Sequence, residues 1–196
     1  MIDAGAEWDG YAATFDEEPD HGLRDPGVRS AWKRLLKPVL PPAPAVVADV
    51  GCGTGSLSVL LAEAGHTVRG LDASARMLDQ ARRKAAAHGV AVAWEQGDAA
   101  RPPWQPGSVD VVLSRHVLWA LPDIHMALQR WVVLLRPGGR LVLVEGRWST
   151  GAGLPAIECA AQVRRFRSET RVQPLTDPAL WGKPITDERY LLLSTR

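Results

Sequence analysis

Residues Val46 to Ser56 read VVADVGCGTGS, and this stretch decides the fold. A short apolar run (Val46, Val47, Ala48) carries one acid, Asp49, and ends in glycines at every second position: Gly51, Gly53 and Gly55. A helical pattern follows at once, apolar at Leu57, Leu60, Leu61 and Ala64, and stops at Gly65. That order is a buried parallel strand breaking through a tight turn into a helix. Glycine suits such a turn because a side chain would hold the backbone off a bound ligand, and because the turn can need φ above zero. By itself, the turn could equally serve a tight connection and nothing more. Twenty-one residues beyond Gly51, however, a second apolar run (Thr67 to Leu71) ends in Asp72. An acid at the tip of the second strand of a βαβ unit is placed to accept hydrogen bonds from a ribose diol. Together the two features predict a nucleoside-containing cofactor held across a βαβ unit.

Working outward, the pattern alternates strands and helices. Upstream, Trp8, Tyr11, Ala12 and Phe15 predict a helix over about 5–17, ended by the acidic stretch Asp16 to Asp20. A second helix is expected over about 26–37, stopped by Pro38, with the stiff connector PVLPPAP (38–44) beyond it. Downstream, Ser74 caps a helix to about His88, with Met77 and Leu78 inward. Strands are expected over about 90–95, 109–113 and 140–145, and Asp123 caps a helix to about Arg136 that Pro137-Gly138-Gly139 stops. The run Leu141 to Val144 is continuously apolar, as in a strand covered on both faces. A helix over about 155–167 and strands over about 170–174 and 188–194 close the chain. Such alternation means a three-layer α/β domain with right-handed crossovers.

Composition narrows the function classes. At 196 residues the chain is read as one domain. A net charge of +1 gives no case for nucleic acid or an anionic membrane as a partner. The two cysteines, Cys52 and Cys159, are far apart and one lies inside the glycine turn, which argues against a disulfide framework and for a reducing, cytoplasmic setting. No basic-then-apolar leader and no apolar run long enough to span a bilayer is found.

At this point the chain resembles the S-adenosylmethionine-dependent methyltransferases of the Rossmann-like type. The resemblance covers about 45–146 and rests on VADVGCGTGS at 47–56, GLDAS at 70–74, GDA at 97–99 before DVVLSRHVLWAL at 110–121, and LLRPGGRLVLVEG at 134–146. It implies a mostly parallel seven-stranded sheet with an antiparallel last strand. The domain would divide into an N-terminal helical lid (1–44), a cofactor-binding core (45–146) and a C-terminal helix and strands (147–196). By the same resemblance, Gly51, Gly53 and Gly55 would lie under the methionine part of S-adenosylmethionine, with Cys52 a small residue among them and Asp49 fixing the turn or the amine. Asp72 would bind the ribose hydroxyls and Ala73 would pack on adenine, with Met77 nearby. Asp98 would accept from the adenine amino group beside the Ala99 amide. Ser114 and Arg115 would border the sulfonium, and Tyr11 would close over the cofactor.

The implied reaction is in-line methyl transfer to an oxygen or nitrogen of a small molecule, yielding S-adenosylhomocysteine, by a monomer or homodimer. His116, directly after the fourth strand, is either a general base or a pocket wall. His21 is a weaker candidate for the same work, and Arg115 would orient an anionic group. No metal site is expected. Trp8, Trp119 and Trp148 fall in segments expected near the cleft. Two other readings compete. A nicotinamide-dependent oxidoreductase would want G-x-G-x-x-G, but Ser56 stands at the last position. A regulatory protein that binds the cofactor without transferring a methyl is the other.

Overall fold

The computed structural model describes residues 4–195. In chain order the helices are α1 (Ala4–Asp9), α2 (Pro19–Gly22), α3 (Pro26–Leu36), α4 (Ser56–Glu63), α5 (Ala75–Ala87), α6 (Ile124–Leu134) and α7 (Ala156–Val163). The strands are β1 (Val46–Val50), β2 (Thr67–Asp72), β3 (Ala93–Gln96), β4 (Val109–Arg115), β5 (Leu135–Arg147), β6 (Thr170–Pro174) and β7 (Glu188–Ser194). They form one seven-stranded sheet in the order β3-β2-β1-β4-β5-β7-β6. Strands β1 to β5 pair in parallel, and β7 runs antiparallel to both β5 and β6. This is the mostly parallel seven-stranded sheet with an antiparallel last strand that the resemblance implies.

The pleat explains why the central strands read as unbroken apolar runs. Val47, Val111, Leu113, Val142 and Val144 face one layer, against Trp32 of α3 and Leu57, Leu60 and Leu61 of α4. Their neighbours Ala48, Val50, Val112, Leu141 and Leu143 face the other, against Leu128 and Trp131 of α6 and Val163 of α7. Both faces are covered, so alternation vanishes.

Four boundaries differ from expectation, one of them the end of α7, which stops at Val163 rather than near 167. The N-terminal helix ends at Asp9, not near 17. There the Asp9 carboxylate accepts from Ser74 Oγ and from the Arg76 amide (3.1 Å), which ties α1 to the start of α5 and turns the chain. The strand expected from 90 begins at Ala93. Helix α6 stops at Leu134, and Leu135 already belongs to β5. Leu135 pairs with Val109 and Arg140 with Val111, so the RPGG stretch loops out as a bulge rather than acting as a helix stop. The Arg136–Asp110 pair (2.9 Å) pins that loop.

Candidate active site

The strand order reverses between β1 and β4, and in open α/β sheets ligands bind at the carboxyl ends of strands at that switch point. A cavity of about 310 Å³ opens there. Strand β1 and the turn after it contribute Asp49, Gly51, Cys52 and Gly53; β2 and α5 with the residue between them contribute Asp72, Ala73 and Met77; the loop after β3 contributes Asp98 and Ala99; the end of β4 and the residue after it contribute Arg115 and His116. His21 and Trp8 reach in from the N-terminal segment, and Trp119 and Trp148 complete the far end.

Asp72 is held ready at one end. One carboxylate oxygen accepts from the Gly53 amide (2.7 Å) and the other from the Ser74 amide (2.9 Å). Burial raises its pKa and those two N–H groups oppose the rise. Asp98 is fixed by the Ala100 amide (2.8 Å). Asp49 is buried and accepts from Ser58 Oγ. Burial pushes its carboxyl up to about 6, against the pull of Ser58 and the Arg115 guanidinium. Burial, with Asp49 and Asp72 beside it, also pushes the Cys52 thiol well above the usual range, so it stays neutral and is no nucleophile.

The other end is aromatic and imidazole-lined. The His116 ring stands 5.3 Å from Trp148, 6.2 Å from Trp181 and 6.4 Å from His21. His21 stacks on Phe15 at 4.3 Å. Burial, with Arg115 beside it, holds His116 well below the ordinary histidine value; the same causes lower His21. His116 keeps a left-handed backbone (φ 59), uncommon for a residue with a Cβ and a mark of constraint at functional sites. Its amide donates to the Val144 carbonyl (2.8 Å), and the next two amides, of Val117 and Leu118, donate to Glu145 Oε1 (3.0 and 2.7 Å). Burial pushes Glu145 up to about 8, so it holds that loop as a neutral acid. The N-terminal segment is clamped onto the glycine turn by Asp16, which accepts from Thr54 Oγ1 and pairs with Lys84 (2.9 Å).

Three of the expected residues do not line the cavity. Tyr11 is 55% exposed, because the early turn after Asp9 presents Trp8 and Phe15 inward instead. Gly55 caps α4 at φ 74, and a Cβ there would lie 2.5 Å from the Trp94 ring and 2.8 Å from Ala81. It serves helix–strand packing. Ser114 faces the opposite side of the pleat from Arg115, is fully buried, and donates to the Val50 carbonyl (2.9 Å). Conversely, Phe15, Leu57 and Val117 line the cavity without having been singled out. Leu57 carried only an inward-facing helical signal. Phe15 carried only the apolar spacing of the N-terminal helix and Val117 no signal, because the turn after Asp9 and the Glu145 loop place them. Asp20, buried beside His21 and His116, was read only as part of a helix-ending acidic stretch.

Comparison with known proteins agrees with this geometry. The family described as "Methyltransferase domain" matches residues 48–143. Demethylmenaquinone methyltransferase of Deinococcus radiodurans is 37% identical over 122 residues, covering 61% of this chain and 51% of that protein. Ubiquinone biosynthesis O-methyltransferase of Cupriavidus pinatubonensis is 42% identical over 96 residues, covering 48% and 39%. The chain thus spans about half the length of the curated relatives it matches. The crystal structure of an S-adenosylmethionine-dependent methyltransferase from Thermotoga maritima superimposes with a TM-score of 0.71 at 19% identity, covering 96% of this chain and 98% of that one, which shows a common fold. The glycine turn, the acids that face the cavity and these matches together leave one family: the chain belongs to the Rossmann-like, S-adenosylmethionine-dependent methyltransferases.

Proposed function

We propose that the protein transfers the methyl group of S-adenosylmethionine to an oxygen or nitrogen of a small molecule held at the aromatic end of the cavity. The observation that carries this reading is continuity: one cavity contains the acids suited to an adenosyl amino acid and a separate wall of indoles and imidazoles. Asp72 would hold the ribose, Asp98 the adenine edge, and Asp49 with the Gly51–Gly53 backbone the amino-acid tail. The cofactor supplies a methyl on a positively charged sulfur, which leaves as a neutral thioether.

The protein's own task is then positional: bring the nucleophile in line and keep water out. Trp119 and Trp148 wall the acceptor end, ring centroids 5.2 Å apart. The acceptor's proton passes to an imidazole nitrogen, His116 or His21, both held neutral and so able to take it. Arg115, beneath them, orients an acidic group. The relatives' names, demethylmenaquinone methyltransferase and ubiquinone biosynthesis O-methyltransferase, support a small-molecule acceptor.

The test pairs calorimetry with S-adenosylhomocysteine and turnover of labelled S-adenosylmethionine over a panel of small phenols, amines and hydroxy acids. Binding of the homocysteine product and transfer to one acceptor class are expected. In His116→Ala, turnover should fall by about 10²-fold or more while product affinity holds. No binding of either form of the cofactor overturns the reading. Full turnover in both His116→Ala and His21→Ala overturns the base assignment.

A further inference from the structure

Asp20, His21 and His116 bring one carboxylate oxygen and two imidazole nitrogens within 4.8 Å of one another, from α2 and from the end of β4. Two atoms of this group are stranded: Asp20 Oδ2 and His116 Nε2 are both buried without a hydrogen-bond partner among the described residues. Asp20 is only 3% exposed. A buried carboxylate oxygen without a hydrogen bond carries a penalty of roughly 1–3 kcal/mol, which the longer ion-pair contacts of His21 and Arg189 offset only in part. His21 Nε2 faces that same oxygen at 3.7 Å, too far for a hydrogen bond. Two donors on a shared cation with bonds of about 2.1 Å stand about 3.0–3.4 Å apart at octahedral or tetrahedral angles, so a small closure completes the pair.

From this we infer a site for a divalent first-row transition metal on Asp20, His21 and His116. Two imidazoles and one carboxylate are the donor set that zinc and ferrous iron take, with positions left for a further ligand. Because His21 and His116 line the cavity, those positions open onto its aromatic end.

The nearby guanidiniums do not close the site. Arg115 donates to the Asp20 main-chain carbonyl and lies over the Trp32 ring at 5.1 Å. Arg189 makes two bonds to Asp187 (3.0 and 3.2 Å) and lies over Trp181 at 4.4 Å. Its nearest nitrogen to Asp20 Oδ2 is 3.9 Å away. Asp20 itself, Asp49 and Asp16 offset the Arg115 charge, and Asp187 offsets that of Arg189. The metal site stands independently of methyl transfer. With the ion bound, His21 and His116 would act as ligands, and they would act as bases only in the metal-free protein.

The test is titration of chelator-stripped full-length protein with Co²⁺ and Zn²⁺, read by visible absorption and calorimetry. One equivalent is expected, with a nitrogen/oxygen-type cobalt spectrum and no thiolate charge-transfer band from Cys52. Asp20→Asn and His116→Gln should each weaken binding by about 100-fold, whereas His88→Ala, which removes a surface partner of Glu63, should not. Absence of binding to the unmodified protein overturns the site, as does undiminished affinity in folded Asp20→Asn and His116→Gln proteins. S-adenosylhomocysteine affinity, measured alongside, separates this failure from failure of the methyltransferase reading.

Discussion

On the proposed placement of the amino group, Asp49 should make cofactor affinity a function of pH. Its carboxyl lies in the cavity wall, and burial raises it to about 6 in the unliganded protein. A cationic amino group bound beside it favours the ionised form, so binding is full above about 6 and weakens as the pH falls through that value. With a single group at about 6, the dissociation constant rises about twofold at pH 6 and about tenfold at pH 5 relative to pH 8, the latter about 1.4 kcal/mol. Isothermal calorimetry with S-adenosylhomocysteine from pH 5 to pH 8 reads this directly. Asp49→Asn should bind about thirtyfold more weakly at pH 8, for loss of a charge-assisted contact of about 2 kcal/mol. It should also lose the acid limb. His21 and His116 titrate below the ordinary histidine value and remain in that variant, so any limb they cause would persist. A flat profile in the unmodified protein, or an unchanged slope in Asp49→Asn, refutes the placement of the amino group at Asp49.

Glu145 gives a second pH signature. Its folded-state pKa is raised from 4.5 to about 8, so stability is full below about 4.5 and is lost as pH rises through 8. The denaturation free energy of Glu145→Gln minus that of the unmodified protein should increase by about 3–5 kcal/mol between pH 5 and pH 9. Lys84→Met removes the nearer cation from Asp16, leaving Arg24 at 3.8 Å and the Thr54 hydrogen bond, and should cost about 1–2 kcal/mol in urea unfolding, with weaker cofactor binding. Trp148→Ala should raise the acceptor KM about three- to tenfold, while S-adenosylhomocysteine affinity in calorimetry changes less than twofold. Gly55→Ala, whose Cβ meets Trp94 and Ala81, should lower Tm with the cavity acids intact.

The fold was legible because its signals are local. Val46 to Ser56 carries strand and glycine turn, Thr67 to Asp72 carries strand and terminal acid, and the strands expected over 170–174 and 188–194 fall on β6 and β7. The cofactor end was legible for the same reason: Asp49, Gly51, Gly53, Asp72 and Asp98 all stand at strand tips, and strand tips converge in a parallel sheet. Residues whose place depends on a partner far along the chain were not. Tyr11 lies exposed and Phe15 lines the cavity because Asp9 ties α1 to Ser74 at the start of α5, 65 residues on. Ser114 and Arg115 differ only by the pleat.

By itself, then, the sequence determined a parallel α/β sheet and an acid-lined edge for an adenosyl ligand, since period, glycine and terminal carboxylate are properties of neighbours in the chain. Only the tertiary structure decided what faces that ligand. Asp20 and His116 lie 96 positions apart, and nothing in either segment announces the other. They meet because the Asp16 clamp lays the N-terminal segment on the glycine turn and Glu145 fixes the loop after β4. A carboxylate and two imidazoles become a site only when separate elements pack and water leaves them without other partners.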